Sequence, residues 1–126
     1  MTADDLSRIV VDTGLQVHRE LGPGLLESVY EMVLAAELER AGLHIERQKP
    51  ISFEYRGLRF ENAFRIDLLI EDQLIVEIKS IEKLGPVHAK QVLTYLRLSN
   101  RSLGLLINFG GETFKEGIRR LVNNHK

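Results

Sequence analysis

Apolar residues recur along the first forty positions with the period of an α-helix, and the pattern then turns to that of strands. Leu6, Ile9, Val10, Thr13 and Val17 fall on one helical face, so residues 4–20 read as a first helix. Leu21-Gly22-Pro23-Gly24 breaks it. A second helix follows over roughly 25–41, with Leu26, Val29, Tyr30, Val33, Leu34 and Leu38 as its apolar stripe and Gly42 as its stop. Ile51, Phe53 and Tyr55 alternate as a strand, and Arg56-Gly57 turns the chain back. Phe64–Ile70 and Leu74–Lys79 are almost continuously apolar, as expected of strands covered on both faces, with Glu71-Asp72 as the turn between them. Gly85-Pro86 ends this stretch, residues 87–98 return to helix, Leu103–Phe109 form a buried strand, and Gly110-Gly111 leads into a final helix at about 113–122.

The order is therefore α-α-β-β-β-α-β-α. A strand–helix–strand passage implies a crossover, most simply with the last strand parallel to a neighbour. The prediction is an α/β sandwich: a small mixed β-sheet flanked by helices. At 126 residues the chain has room for one domain, residues 1–126, and no second module. No repeat, low-complexity stretch or linker interrupts it.

Composition narrows the chemistry. With 44% hydrophobic and 28% charged residues the chain is an ordinary globular protein, not a disordered one. No apolar run is long enough to span a bilayer, and Met1–Asp5 lacks the layout of a signal peptide, so a cytoplasmic location and no membrane partner are expected. The absence of cysteine excludes disulfides, thiolate zinc sites and iron–sulfur ligation by this chain. The net charge of −1 conceals an asymmetry. Residues 1–88 hold 10 Lys/Arg against 16 Asp/Glu, whereas residues 89–126 hold 7 (Lys90, Arg97, Arg101, Lys115, Arg119, Arg120, Lys126) against Glu112 and Glu116. A basic last third beside an acidic site would hold a phosphate backbone; on charge alone a solvated helix face is the preferred reading.

The chemistry centres on Glu77-Ile78-Lys79. Two residues apart in a strand, Glu77 and Lys79 share one face of the sheet. A hairpin through Glu71-Asp72 brings Asp67 beside them. Charged groups embedded in apolar strands are costly unless they are paired or bind a metal. Two carboxylates with a lysine make a divalent-metal site with a cationic helper, a chemistry suited to phosphodiester hydrolysis. An amphipathic strand showing Glu and Lys to solvent is the bland alternative. On the helices, Glu27, Tyr30 and Glu31 share one face, and His88, Gln91 and Tyr95 share another. His18 and His88 are more simply hydrogen-bonded structural histidines than ligands.

Gly24-Leu25-Leu26-Glu27-Ser28-Val29-Tyr30 is a G-x-x-E-x-x-Y motif, and Gln91-Val92-Leu93-Thr94-Tyr95 is a Q-x-x-x-Y motif. From about residue 8 to residue 122 the chain resembles the bacterial GxxExxY proteins, a branch of the PD-(D/E)xK nuclease superfamily related to RecB-like nucleases. The resemblance implies Asp67 and Glu77 as metal-binding acids, the Ile78 carbonyl as a further ligand, and Lys79 as the group that orients or activates water. It implies Glu27 as the helix acid completing the metal shell, and Gln91 and Tyr95 as walls of the site. Tyr30 and Arg97 join Tyr95 as candidate substrate-binding residues, although for Tyr30 the favoured reading is that its ring packs and its hydroxyl orients Glu27 or a neighbour.

Glu27, Asp67, Glu77 and Lys79 together carry a formal charge of −2, which repels a phosphate diester unless a cation is present. Oxygen ligands without cysteine favour Mg²⁺ or Mn²⁺ over zinc. The expected function is metal-dependent hydrolysis of nucleic acid, DNA rather than RNA, with homodimerisation as the natural route to a wider binding face. A non-catalytic module keeping the nuclease fold is the alternative. Hydrolysis of a small phosphoester ranks last, because no glycine-rich phosphate cradle is present.

Overall fold

The computed structural model describes residues 1–123. Helix α1 (Ala3–Leu21) starts on a capping box: Thr2 Oγ1 accepts the Asp5 N–H, and Asp5 accepts the Thr2 N–H. Helix α2 (Glu27–Arg40) follows, then strands β1 (Ile45–Tyr55), β2 (Leu58–Ile70) and β3 (Leu74–Lys79), helix α3 (Pro86–Ser99), and strand β4 (Leu103–Asn108). The chain ends in a single 3₁₀ turn (Lys115–Gly117) and strand β5 (Ile118–Val122). The sheet order is β1-β2-β3-β4-β5, all neighbours antiparallel except β3 and β4. Helix α3 is the crossover that the one parallel pair requires.

Burial explains this layering. Leu6, Val10 and Val17 of α1 and Tyr30, Leu34 and Leu38 of α2 cover one face of the sheet over Leu68, Ile70, Val76, Ile78, Leu105 and Ile107. On the other face Val92 and Leu96 of α3 pack on Ile66, Leu69, Ile75 and Leu106. Strands β3 and β4 are thus covered on both sides, which accounts for their near-continuous apolar sequence.

The expected final helix over 113–122 is a strand instead. Ile118 and Leu121 lie three apart and imitate helical spacing, yet they belong to opposite faces of the sheet. Pairing decides between the two conformations. Without β5 the buried strand β4 would keep one row of backbone N–H and C=O groups unpaired, and β5 satisfies them in register from Leu103↔Val122 to Ile107↔Ile118. The first strand is also longer than its alternating core suggested, because Ile45 to Arg47 pair with Leu68 to Ile70.

Beyond the end of β3 the chain is locked by buried Asn108. Its Oδ1 accepts the N–H groups of Ile81 and Gly110, and its Nδ2 donates to the Ile81 carbonyl at 2.8 Å. The 80–81 segment therefore lies so close to Gly110 that a Cβ there would sit 2.3 Å from the Ile81 oxygen. Gly110→Ala should lower unfolding stability by about 1–3 kcal/mol in a denaturant titration, since backbone must move. An unchanged midpoint would mean that this approach is looser than the structure shows.

Candidate active site

The antiparallel ladder between β2 and β3 runs from Ile70↔Leu74 to Leu68↔Val76 and then stops. The next two residues are Asp67 and Glu77, and their side chains take over where backbone pairing ends. The Asp67 N–H donates to Glu77 Oε2 at 2.7 Å, and the Ile78 N–H donates to Asp67 Oδ2 at 2.8 Å. Each carboxylate satisfies an N–H on the opposite strand, so the strands part without leaving these two donors orphaned. The two acids sit face to face in the opening, as the hairpin reading expected.

Glu77 is only 4% exposed and Asp67 is half-buried. Neither makes an ion pair among the described residues. Burial first, and then the charge of the adjacent Asp67 carboxylate, push the Glu77 carboxyl up to about 8, against the lowering effects of the Asp67 N–H and Lys79. Burial likewise raises Asp67, opposed by the Ile78 N–H and reinforced by the charge of Glu31. Lys79 ends β3, shares the Glu77 face, and lies within electrostatic reach of both acids. Its ammonium forms no hydrogen bond or ion pair with a described residue, which leaves it available to an anion.

The flanking elements enter from both faces of the sheet. Helix α2 supplies Glu31, buried at 6% exposure, which accepts from Arg47 Nε and Nη2 at 3.1 and 3.0 Å and from Gln48 Nε2 at 2.6 Å. Gln48 Nε2 also reaches Asp67 Oδ1 at 3.2 Å. Gln48 has φ +50° in the middle of a paired strand, a backbone state that costs a non-glycine residue on the order of 1 kcal/mol or more. From the other face Tyr95 of α3 stacks on Phe64 with ring centroids 4.2 Å apart. Its hydroxyl is raised by burial and then by the charges of Glu77 and Asp67, so it lies within electrostatic reach of the acids.

Other expected site residues are distributed differently. Glu27 is exposed on the first turn of α2, one turn before Glu31. It makes no hydrogen bond to Asp67 or Glu77 and lines an open cleft of about 690 Å³ with Ser28, Ser80 and Glu82. Gln91 is exposed on α3 one turn before Tyr95. Arg97 follows Tyr95 by two residues, so it points to the other side of α3, where it donates to Thr94 Oγ1. Tyr30 is fully buried, which removes it from any substrate-facing surface. Its ring stacks on Phe109 at 4.6 Å, and its hydroxyl donates to the Gly22 carbonyl and accepts the Leu25 N–H. Tyr30 thereby fixes the α1–α2 loop, which Ser80 ties to the end of β3 through the Leu25 carbonyl. His18 bonds the Gly111 carbonyl, and His88 Nδ1 accepts the Gly85 N–H at the start of α3. Both histidines serve the backbone.

The basic last third is mostly spent on structure. Arg101 pairs with Asp72, Arg120 pairs with Asp4, and Arg119 donates to the Glu116 and Ile118 carbonyls. Lys126 lies outside the described residues. Sequence reasoning did not assign Glu31 a role, although its position four residues after Glu27 put it on the face of interest. Arg47 and Gln48 carried no signal at all, because nothing local marks the kink at Gln48.

Among the described residues no three His, Asp or Glu side chains converge as a ready metal cluster. Asp67 and Glu77 nonetheless fit a hard dication. They are adjacent, all-oxygen, buried or half-buried, and without an ion-paired cation among the described residues, and Mg²⁺ commonly takes one or two carboxylates while water and phosphate oxygens complete its shell.

A model of the PD-(D/E)XK nuclease superfamily matches residues 4–121, nearly the whole chain. The protein belongs to this superfamily, whose members generally use divalent metal ions. No curated protein and no solved structure matches it.

The raised acids set a pH dependence. Folding lifts Glu77 from 4.5 to about 8, so through that window the folded chain holds a proton that the unfolded chain has released. The contribution of Glu77 to the stability of the metal-free protein is therefore fully present below its unfolded value of 4.5 and is lost as pH rises to 8, by on the order of a few kcal/mol. Glu77→Gln should remove most of this slope and raise the melting temperature at pH 9. A wild-type melting temperature independent of pH across the window would contradict the placement of these acids.

Proposed function

We propose that the chain is a small metal-dependent nuclease that hydrolyses phosphodiester bonds, of DNA more readily than of RNA. The observation that carries this reading is the pair of buried Glu77 and half-buried Asp67 at the parting of β2 and β3, with a lysine two residues on that has no hydrogen-bond or ion-pair partner among the described residues. Asp67 and Glu77 hold Mg²⁺ or Mn²⁺, and the Ile78 carbonyl is the further ligand the motif suggests. Such a cation supplies positive charge at the scissile phosphate and a more acidic water. Lys79 adds a fixed ammonium in a site poor in water, where its attraction for a phosphate oxygen is strongest. Glu31 is the α2 acid linked to the pair through Gln48, and Glu27 borders a separate cleft with Ser80. Gln91 and Tyr95 form the wall on α3. Tyr30 supports the site through the loop it anchors.

The G-x-x-E-x-x-Y and Q-x-x-x-Y motifs support placing the chain among bacterial GxxExxY proteins related to RecB-like nucleases. A homodimer is part of the same proposal, supported by the exposed apolar Leu26, Val29 and Met32 on α2. A cytoplasmic setting accords with a chain that needs no disulfide. No helix among the described residues is long and apolar enough to cross a membrane.

Labelled single-stranded, duplex and branched DNA, and matching RNA, incubated with Mg²⁺ or Mn²⁺ test the proposal. Wild type should cleave in a metal-dependent way. Asp67→Asn and Lys79→Ala should fold normally and lose at least about 10²-fold in rate. Folded proteins that all fail to cleave, or that cleave equally, would favour a non-catalytic binding module on the same fold.

A further inference from the structure

Six non-glycine residues have positive φ among those described, and five sit where such a backbone is expected. Arg56, Glu71 and Asp72 are in hairpin turns, Asn62 lies at the register shift of the β1–β2 hairpin, and Asn100 caps α3. Gln48 is the exception. Its neighbours pair as Arg47↔Leu68 and Lys49↔Ile66, so the register passes through Gln48 unbroken and sets it across from Asp67.

The kink changes which side chains can meet. Successive residues of a regular strand point to opposite faces. At Gln48 the left-handed turn lets two consecutive side chains, Arg47 and Gln48, both reach Glu31. Arg47 alone would suffice to pair Glu31. The additional product of the kink is the second contact of Gln48, to Asp67 Oδ1. Asp67 is then held at both oxygens, by Gln48 and by the Ile78 N–H, and Glu31 is held at both by Arg47 and Gln48. A carboxamide does this without adding charge. An arginine or lysine at the same position would place a competing cation between the acids.

We infer that Gln48 is a positioning residue that ties Asp67 to the Arg47-paired Glu31 of α2, presetting the Asp67 carboxylate for a divalent cation. The inference rests on the metal-dependent reading above and adds to it a residue on β1 outside the acid–lysine motif. Backbone and side chain can be separated by substitution. Gln48→Gly removes the carboxamide while accepting the left-handed backbone freely, and Gln48→Asn tolerates that backbone but is one methylene too short to span both acids.

Calorimetric titration of Mn²⁺ into the full chain, without nucleic acid, gives the readout, alongside melting temperatures of the metal-free proteins. Both variants should melt near wild type and bind Mn²⁺ about 10–100-fold more weakly, as expected for loss of a residue that orients ligands. If Gln48→Gly fails to fold, Gln48→Asn decides. Folded variants that bind Mn²⁺ as tightly as wild type overturn the role of Gln48 alone. A wild type that does not bind Mn²⁺ overturns the metal-dependent reading and this inference together.

Discussion

Everything around the site depends on how strands β2 and β3 separate. Backbone strands that diverge inside a core expose N–H groups to a medium that cannot hydrate them, and each lost partner costs on the order of 1–3 kcal/mol. Here Asp67 and Glu77 take the orphaned donors, each receiving one from the strand opposite. The carboxylates thus stabilise the opening that contains them. The same arrangement forces two like charges together, and burial raises both acids. In the proposed reading a divalent cation relieves the conflict that the fold creates.

The rest of the molecule frames that opening. Tyr30, Phe109 and the α1–α2 loop brace one end of β3, and Asn108 locks the segment after it. Glu31 and Gln48 approach from the α2 side, while Tyr95, stacked on Phe64, closes the α3 side. Among the described residues Lys79 has no hydrogen-bond or ion-pair partner, whereas Arg47 is engaged by Glu31. In the proposed reading this ammonium beside the two acids is the group that meets a phosphate and its metal.

The parts legible in sequence were those written in local periodicity. The first two helices, the apolar runs of β3 and β4, and the crossover helix follow from spacing alone, and the Asp67, Glu77 and Lys79 cluster follows from strand alternation plus one turn. Long-range pairing was the obscure part. Strand β5 carries apolar residues at helical spacing, and only the need of β4 for an edge partner reveals it as a strand. Burial of Glu31 was hidden for the same reason, since Glu27 and Glu31 are equivalent on a helical wheel and tertiary packing alone buries the second. Gln48 is set by a backbone kink that no residue type announces.

The central claim is that the acids at the strand parting hold a divalent metal. Anomalous diffraction from crystals equilibrated with Mn²⁺ tests it most directly. The account predicts a peak within bonding distance of both the Asp67 and Glu77 carboxylates, with Lys79 on the same side. Manganese absent from that position at saturating concentration, with both carboxylates still bonded to the Ile78 and Asp67 N–H groups, would contradict it.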